Sequence, residues 1–265
     1  MKAWLRGLTM IKNPLLAVFA IAALLQPFHS FGASAPNAAR SAPDFSGVWM
    51  AFAAETPGGG GNSPGYTSGG KARLDQFKAQ YTEIPETGIW CLGAGMPGMM
   101  LSMVSYPITI VQTPKLMAML AELEMQRRLV YLDGRPHDET LLPSSTGHSV
   151  GKWEGNALVI DTVDLSEWQL APWPRSEDTH ITERVSMTKL GNIKARPSGF
   201  VADAGKPLND DVLVFDMTLT DPGYYSGPQR RVIYYQRMPD TATLEYQCTY
   251  EHWSDELEKK RKPGK

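Results

Sequence analysis

Imidazole, carboxylate and guanidinium side chains concentrate in one stretch of this chain, residues 127–165. His137 and His148 lie there, two of the five histidines of the sequence, together with Arg135. An imidazole beside a carboxylate can take or give a proton near neutral pH. A guanidinium can hold a carboxylate or a developing oxyanion. The stretch therefore predicts acid–base catalysis, with Arg135 steadying negative charge. The alternative is that both histidines only satisfy backbone groups of a long loop.

Two carboxylates on later predicted strands are further candidates. Glu183 falls on the same strand face as Ile181, which predicts an inward position, and an unpaired carboxylate there is costly. We expect Glu183 to orient or share the catalytic base, and Asp161 to contact the substrate. The alternative for both is a buried ion pair with Arg184 or Arg231.

Other chemistries have weaker support in the sequence. Three histidines (His137, His148, His180) could bind a metal with a carboxylate, but none of the short metal-binding spacings occurs. Ser144, Ser145 and Ser149 flank the histidines without a nucleophile-elbow motif. We therefore predict no metal and no cofactor.

Methionines and tyrosines supply candidate contacts for a small hydrophobic or aromatic molecule. Methionine adapts to irregular apolar shapes, so Met99 and Met100 could line a cavity, or they could pack a loop against the core. The residues predicted to contact a substrate are Tyr131, Met99, Met100, Asp161 and Tyr234.

The elements that must position these residues are mostly strands. Short alternating segments separated by turn signals predict about ten of them, and one amphipathic helix is predicted over 72–82. The predicted strands are 44–50, 108–112, 116–120, 126–132, 150–153, 157–163, 179–188, 211–220, 231–237 and 243–249. Few helical stretches interrupt them, so we expect antiparallel neighbours. So many antiparallel strands close or stack, and closure encloses a cavity for one small ligand.

The N-terminal residues predict export. A basic leader precedes the unbroken apolar run 15–25, which is typical of a secretory signal peptide and too short for a spanning helix. We expect residues 1–35 as the signal peptide, 36–43 as a linker, 44–252 as the barrel and 253–265 as a charged C-terminal tail with a frayed end. The protein would then be periplasmic or secreted, with no membrane association after cleavage.

Export also bears on the two cysteines, Cys91 and Cys248. In an oxidising compartment one disulfide between them is the natural expectation, worth ~4–5 kcal/mol in the chain-entropy model. The alternative is two separate buried thiols. The formal net charge of −2 argues against non-specific binding to nucleic acid.

Several motifs together resemble a family of exported bacterial proteins that are mostly uncharacterised. The motifs are Asp44-Phe45-Ser46-Gly47-Val48-Trp49, the stretch from Cys91 to Met100, Tyr131-x-Asp133-Gly134-Arg135-Pro136-His137, Gly147-His148-Ser149-Val150-Gly151-x-Trp153-Glu154-Gly155, Leu158-Val159-Ile160-Asp161-Thr162, Glu183-Arg184, Asp221-Pro222 and Glu245-Tyr246-x-Cys248. The resemblance implies a signal peptide and a lipocalin-like antiparallel barrel, and it implies no particular activity. Asp138 stands where proline is usual in the family, which puts the loop around His137 in doubt.

We expect a periplasmic barrel enzyme that acts on a small apolar or aromatic molecule by elimination, isomerisation or hydrolysis. The site would lie at the barrel mouth, beside the cavity. A non-catalytic carrier or sensor of a hydrophobic ligand is the alternative, and an envelope interaction module is a third possibility. A carrier would have an apolar cavity with few titratable groups, whereas an enzyme would have a converging histidine–carboxylate pair.

Overall fold

The structure is a computed structural model that describes residues 42–57, 65–84, 92–101, 106–170, 173–195, 211–245 and 253–263. Within these ranges nine strands form a closed barrel, in which each strand pairs with the next along the chain and the ninth pairs with the first. The predicted all-β closed barrel is confirmed, with nine strands rather than about ten. The tenth strand was predicted over 243–249. Only residues 243–245 of it are described, and they have no regular secondary structure.

The described strands and helices are short. The strands are β1 Gly47–Glu55, β2 Ile108–Gln112, β3 Leu116–Ala121, β4 Arg127–Tyr131, β5 His148–Glu154, β6 Ala157–Val163, β7 His180–Lys189, β8 Asp211–Thr220 and β9 Gln229–Arg237. The helices are α1 Ser68–Ala79, α2 Gly98–Leu101 and α3 Trp253–Lys259, with 3₁₀ helices at Leu123–Met125 and Leu190–Asn192. Helix α1 starts before the predicted position because Thr67 caps it, its hydroxyl accepting the backbone N–H of Gly70 at 2.8 Å.

One pair of neighbouring strands departs from the predicted antiparallel order. Strands β4 and β5 run parallel, through the pairs Val130–Ser149 and Tyr131–Val150. Strands that alternate in direction can close a ring of odd number only if one neighbouring pair is parallel. Parallel neighbours need a crossover of about a dozen residues or more rather than a tight turn. Residues 132–147 form this crossover, so barrel closure itself calls for the long polar loop.

The two faces of the barrel wall have different chemistry. Successive side chains of a strand point to opposite faces, and the inward side chains of β6 and β7 include the fully buried Leu158, Ile160 and Val185. Trp49 of β1 is also fully buried, and its indole N–H donates to the carbonyl of Phe45 at 2.8 Å. The intervening residues face outward, and the outer wall of β4–β7 carries the candidate histidines.

The C-terminal residues contain a helix and a short backbone pairing with another segment. Residues 253–259 form α3, and the segment after it pairs with the end of α1: the N–H of Thr82 donates to the carbonyl of Lys260 at 2.8 Å, and the N–H of Lys262 to that of Gln80 at 2.9 Å. This pairing satisfies backbone groups of both segments.

Several predictions lie outside the described residues. They are the signal peptide, most of the linker, and Cys91 and Cys248. Among the helices that the structure describes, none combines the length and the apolar character needed to cross a membrane.

Candidate functional site

The candidate site lies at one end of strands β4–β7, on the outer face of the barrel wall. Four side chains project there from successive strands: Tyr131 ends β4, His148 begins β5, Asp161 lies near the end of β6 and His180 begins β7. The strand register brings them together. His148 pairs with Val163 of β6, and Thr162 pairs with Ile181 of β7, so His148 and His180 lie on either side of the end of β6. The sequence predicted a site at the barrel mouth facing a hollow. In the structure these side chains lie on the outer face of the wall instead.

His137 reaches this group from the crossover and links its members. Its Nδ1 lies 2.8 Å from Nδ1 of His148, and the two rings meet edge to face. Its Nε2 lies 3.3 Å from Oδ2 of Asp161, whose Oδ1 bonds to Nε2 of His180. These four residues form a continuous chain of side-chain hydrogen bonds, which we call the outer relay. Three of them were sequence candidates for catalysis or substrate contact, and His180 was not.

The hydrogen bonds fix the tautomers when the imidazoles are neutral. An ionised carboxylate only accepts, so the Nε2 of His137 must carry a hydrogen and donate it to Asp161. The Nδ1 of His137 then has a lone pair and accepts from the Nδ1–H of His148. This leaves the Nε2 of His148 unprotonated, and no hydrogen bond to that atom occurs within the described residues. His148 therefore has the arrangement of a general base oriented by a second group.

The surroundings of His148 favour its neutral form. Burial lowers the pKa of the His148 imidazole below its usual range, and the nearby charge of His137 lowers it further. The residue is only 6 % exposed. A base must be unprotonated to accept a proton, so this shift keeps His148 ready near neutral pH.

Arg135 covers one side of the site. Its guanidinium lies 4.1 Å from the ring centroid of Tyr131 and forms a forked pair with Asp133, with an Nη2–Oδ2 distance of 2.6 Å. The hydrogen bonds from Arg135 lower the pKa of Asp133 to about 2, so this carboxylate stays ionised. The sequence predicted that Arg135 would steady negative charge on a ligand. In the structure its guanidinium stacks on the ring of Tyr131 at the edge of the site, and the ion pair with Asp133 partly neutralises its charge.

An open cleft of about 630 Å³ borders these groups. Its lining consists of Tyr131, Arg135, Pro136, His137, Asp138, Glu139, Leu141 and His148. All but Tyr131 and His148 belong to the crossover, so the crossover forms one wall and the strand ends form the other. The predicted site residues His137, His148, Arg135 and Tyr131 are thus brought together. Asp161 joins them through its bond to His137.

The end of the crossover is held by a buried cation that sequence reasoning missed. Arg175 is 1 % exposed and donates to the carbonyls of Ser166 at 2.8 Å and Ser145 at 3.4 Å. The backbone of Ser144 also pairs with Leu165. Burial lowers the pKa of Arg175 to about 10, which still leaves it charged near neutral pH. These bonds fix the chain just before His148.

Glu183 lies on the opposite side of the wall from the outer relay. It projects into the barrel and is 2 % exposed, as its strand pattern predicted. Its Oε1 accepts from Nη1 of Arg128 at 3.0 Å, while Arg128 also donates to Ser149 at 3.1 Å and Thr162 at 2.8 Å. The structure does not bring Glu183 to the histidines. Its partner is neither Arg184 nor Arg231 but Arg128, which sequence reasoning missed. We call Glu183, Arg128, Ser149 and Thr162 the inner cluster.

The remaining substrate candidates lie elsewhere. Met99 and Met100 are fully buried in the main hydrophobic core, and the hydroxyl of Tyr235 donates to the carbonyl of Met100 at 3.0 Å. Tyr234 packs with Phe52 in a second, smaller apolar cluster. None of the three predicted residues borders the cleft. Among the residues that the structure describes, no group of three or more histidines, cysteines or carboxylates is arranged to hold a metal ion.

Comparisons with known proteins add little to this geometry. No protein-family model and no curated protein matches the chain. Among solved structures, a variant of the fluorescent protein UnaG aligns with 74 % of this chain and 97 % of its own, at 15 % identity and a TM-score of 0.34. A likeness that distant carries no argument, and the closed barrel rests on the strand pairing of this chain itself.

Proposed function

We propose that the outer cleft is the active site of an enzyme that performs acid–base chemistry on a small molecule with an apolar or aromatic part. The observation that carries the proposal is the hydrogen-bond chain from His148 through His137 to Asp161. A carrier needs no such chain. The location beside an interior cavity, expected from the sequence, is not part of this proposal.

In the proposed step, the Nε2 of His148 takes a proton from the substrate or from a water molecule that attacks it. The Nδ1–H of the resulting imidazolium donates to the neutral ring of His137, which in turn donates to the Asp161 carboxylate, so the chain orients the ring that holds the proton. The substrate carries the electron pair left by the proton, and the cation of Arg135 steadies that negative charge at the rim. Return of the proton to another atom gives isomerisation, and departure of a leaving group gives elimination. Attack by the activated water on an acyl carbon breaks the bond to the leaving group, which takes the proton from the His148 imidazolium, and this gives hydrolysis.

The proposal includes export, which the leader supports, and it needs neither metal nor redox cofactor.

Glu183 has no part in the step, because it bonds to Arg128 inside the barrel. His180 holds the second oxygen of Asp161 and so orients the carboxylate. It is a positioning residue, since it does not border the cleft.

The first test needs no substrate. ¹⁵N NMR of the imidazoles should find His148 with hydrogen on Nδ1 and a bare Nε2 at neutral pH, and Asp161→Asn should change that tautomer distribution, because an amide can donate where the carboxylate only accepted. A His148 ring with hydrogen on Nε2 would contradict the relay.

The second test uses the natural ligand. Native mass spectrometry of protein purified from its own host identifies co-purified small molecules, which are then assayed for turnover. Replacement of His148 or of His137 by Ala should lower kcat by ~10²–10⁴-fold. Arg184→Ala, on the outer wall of β7 away from the cleft, is the matched control and should retain the wild-type rate. Unchanged turnover in both histidine variants would falsify the assignment.

A further inference from the structure

A second depression adjoins the proposed active site. It measures about 260 Å³ and shares Tyr131, Leu141 and His148 with the main cleft. It extends along the outer face of β4 toward Arg127 and is bounded on the loop side by Leu142. A molecule held there would have one end at the ring of His148.

The surface of this depression is unusually apolar for an exposed position. Leu129 is 42 % exposed, Leu141 is 46 % exposed and Leu142 is 88 % exposed. Single exposed leucines are ordinary, but three around one depression beside a candidate catalytic group form a contact surface for an apolar body.

A single cation lies at the far end. Arg127, Leu129 and Tyr131 project from the same face of β4, because side chains two apart share a face. Because β4 and β5 are parallel and Val130 pairs with Ser149, His148 lies opposite Leu129. Arg127 is therefore ~7 Å along the strand direction and ~5 Å across from His148. Arg127 is exposed, and no carboxylate of the described residues lies within ion-pair distance of it. Two other exposed outer-wall arginines differ in this respect, since Arg184 pairs with Glu154 and Arg230 pairs with Asp216.

We infer that the substrate is a free amphiphilic carboxylate of medium length. Its carboxylate pairs with Arg127, its apolar body lies over Leu129 and Leu142, and its reacting end reaches His148. The inference rests on the proposed function and names the substrate class for that site. The shortest acids span less than the separation of Arg127 and His148, so they reach only one of the two groups.

The test measures binding of decanoate, below its micelle-forming concentration, by isothermal titration calorimetry. Decan-1-ol, of equal chain length and without charge, is the comparison ligand. Wild-type protein should bind decanoate more tightly than decan-1-ol. Arg127→Gln should weaken decanoate ~10-fold and leave decan-1-ol unchanged, because it removes only the ion pair. Leu142→Ser should weaken both ligands, and Arg184→Gln is the surface-charge control that changes neither.

Equal affinity for the two ligands, or an Arg127→Gln variant that keeps its decanoate affinity, overturns the inference. So does an analytical ultracentrifugation result in which wild-type protein is a dimer that Leu142→Ser dissociates, because the leucines then belong to a subunit interface. His137→Gln separates the two proposals, since His137 does not border the second depression. Arg127-dependent decanoate binding, together with unchanged turnover of the co-purified molecule in His137→Gln, supports the ligand class and overturns the acid–base function.

Discussion

The inner cluster and the outer relay lie on opposite faces of one wall: the first has a residue on each of β4–β7, the second on β5–β7 and in the crossover. Each combines a carboxylate with basic groups: Glu183 with Arg128 inside, Asp161 with two histidines outside. The inner carboxylate and guanidinium are 2 % and 1 % exposed, and small hydroxyl groups take up other donors of the arginine. The outer carboxylate is 42 % exposed at the side chain.

The difference between the two clusters separates a structural role from a catalytic one. In the inner cluster the forked guanidinium bonds both oxygens of Glu183, so neither carboxylate oxygen is left open to a ligand. In the outer relay the Nε2 of His148 makes no hydrogen bond to any described residue, and His148 borders the cleft, so a proton can be exchanged with a ligand. On β5 and β6 a one-residue step decides which cluster a side chain joins, since His148 adjoins Ser149 and Asp161 adjoins Thr162.

The comparison is tested most strongly by removing the inner cation. Arg128→Met leaves the Glu183 carboxylate buried without its partner, and we expect the free energy of unfolding to fall by ~3–5 kcal/mol in urea denaturation. Arg184→Met is the neighbouring control on β7: its pair with Glu154 is about half exposed, so the loss should be ~0–1 kcal/mol. The double variant Arg128→Met/Glu183→Leu should recover much of the stability, since no unpaired charge remains. Equal losses for Arg128→Met and Arg184→Met would remove the distinction between the two faces.

A smaller effect is expected where the crossover enters the outer relay. Gly147 has φ +69°, and an added Cβ would lie 2.5 Å from the carbonyl oxygen of Val163. Gly147→Ala should therefore cost more than the ~1–2 kcal/mol of left-handed strain alone, and it should displace His148. Gly155→Ala is the matched control, because Gly155 has φ +63° with no atom within 4 Å of the added Cβ. Thermal denaturation of both variants isolates the cost of the contact; equal melting temperatures would contradict it.

The outer relay should make stability depend on pH through His148. The folded-state pKa of His148 lies below its unfolded value of about 6.5, so the unfolded chain binds more protons just below that pH. The stability associated with the neutral ring is present above about pH 6.5 and is lost as the pH falls through the folded-state pKa. Urea denaturation at a series of pH values from about 7.5 to about 5.5 should show a steeper loss for wild-type protein than for His148→Asn. Parallel curves would count against a depressed pKa.

The smallest effect on stability is expected at the exposed ion pair between Arg135 and Asp133. Arg135→Gln breaks an exposed pair with Asp133, so the free energy of unfolding should stay unchanged within error. The pKa of Asp133 should rise from about 2 toward its usual value, because the Arg135 hydrogen bonds are the main cause of its depression. Carboxyl ¹³C NMR measures this rise, and Asp138, whose low pKa derives from Thr140, should not change. An unmoved Asp133 would mean that Arg135 is not its partner in solution.

Strand pattern predicted much of the barrel, and it also predicted which residues share a face. The predicted strands 157–163 and 211–220 coincide with β6 and β8, and Glu183 was correctly placed on the inward face of β7. Such predictions succeed because alternation is a local property with a period of two residues. The pairing of Glu183 with Arg128 could not be predicted in the same way, because 55 residues separate them in the chain.

The sequence by itself determined that this protein is a β-barrel with acid–base side chains gathered in one loop, because alternation and turn chemistry are local. Only the tertiary structure decided that nine strands close the ring with β4 and β5 parallel. It also decided that His180 meets Asp161 and that the histidines lie on the outer wall. Those facts depend on strand number and register, which are set by contacts between distant segments and have no signature in any short stretch of sequence.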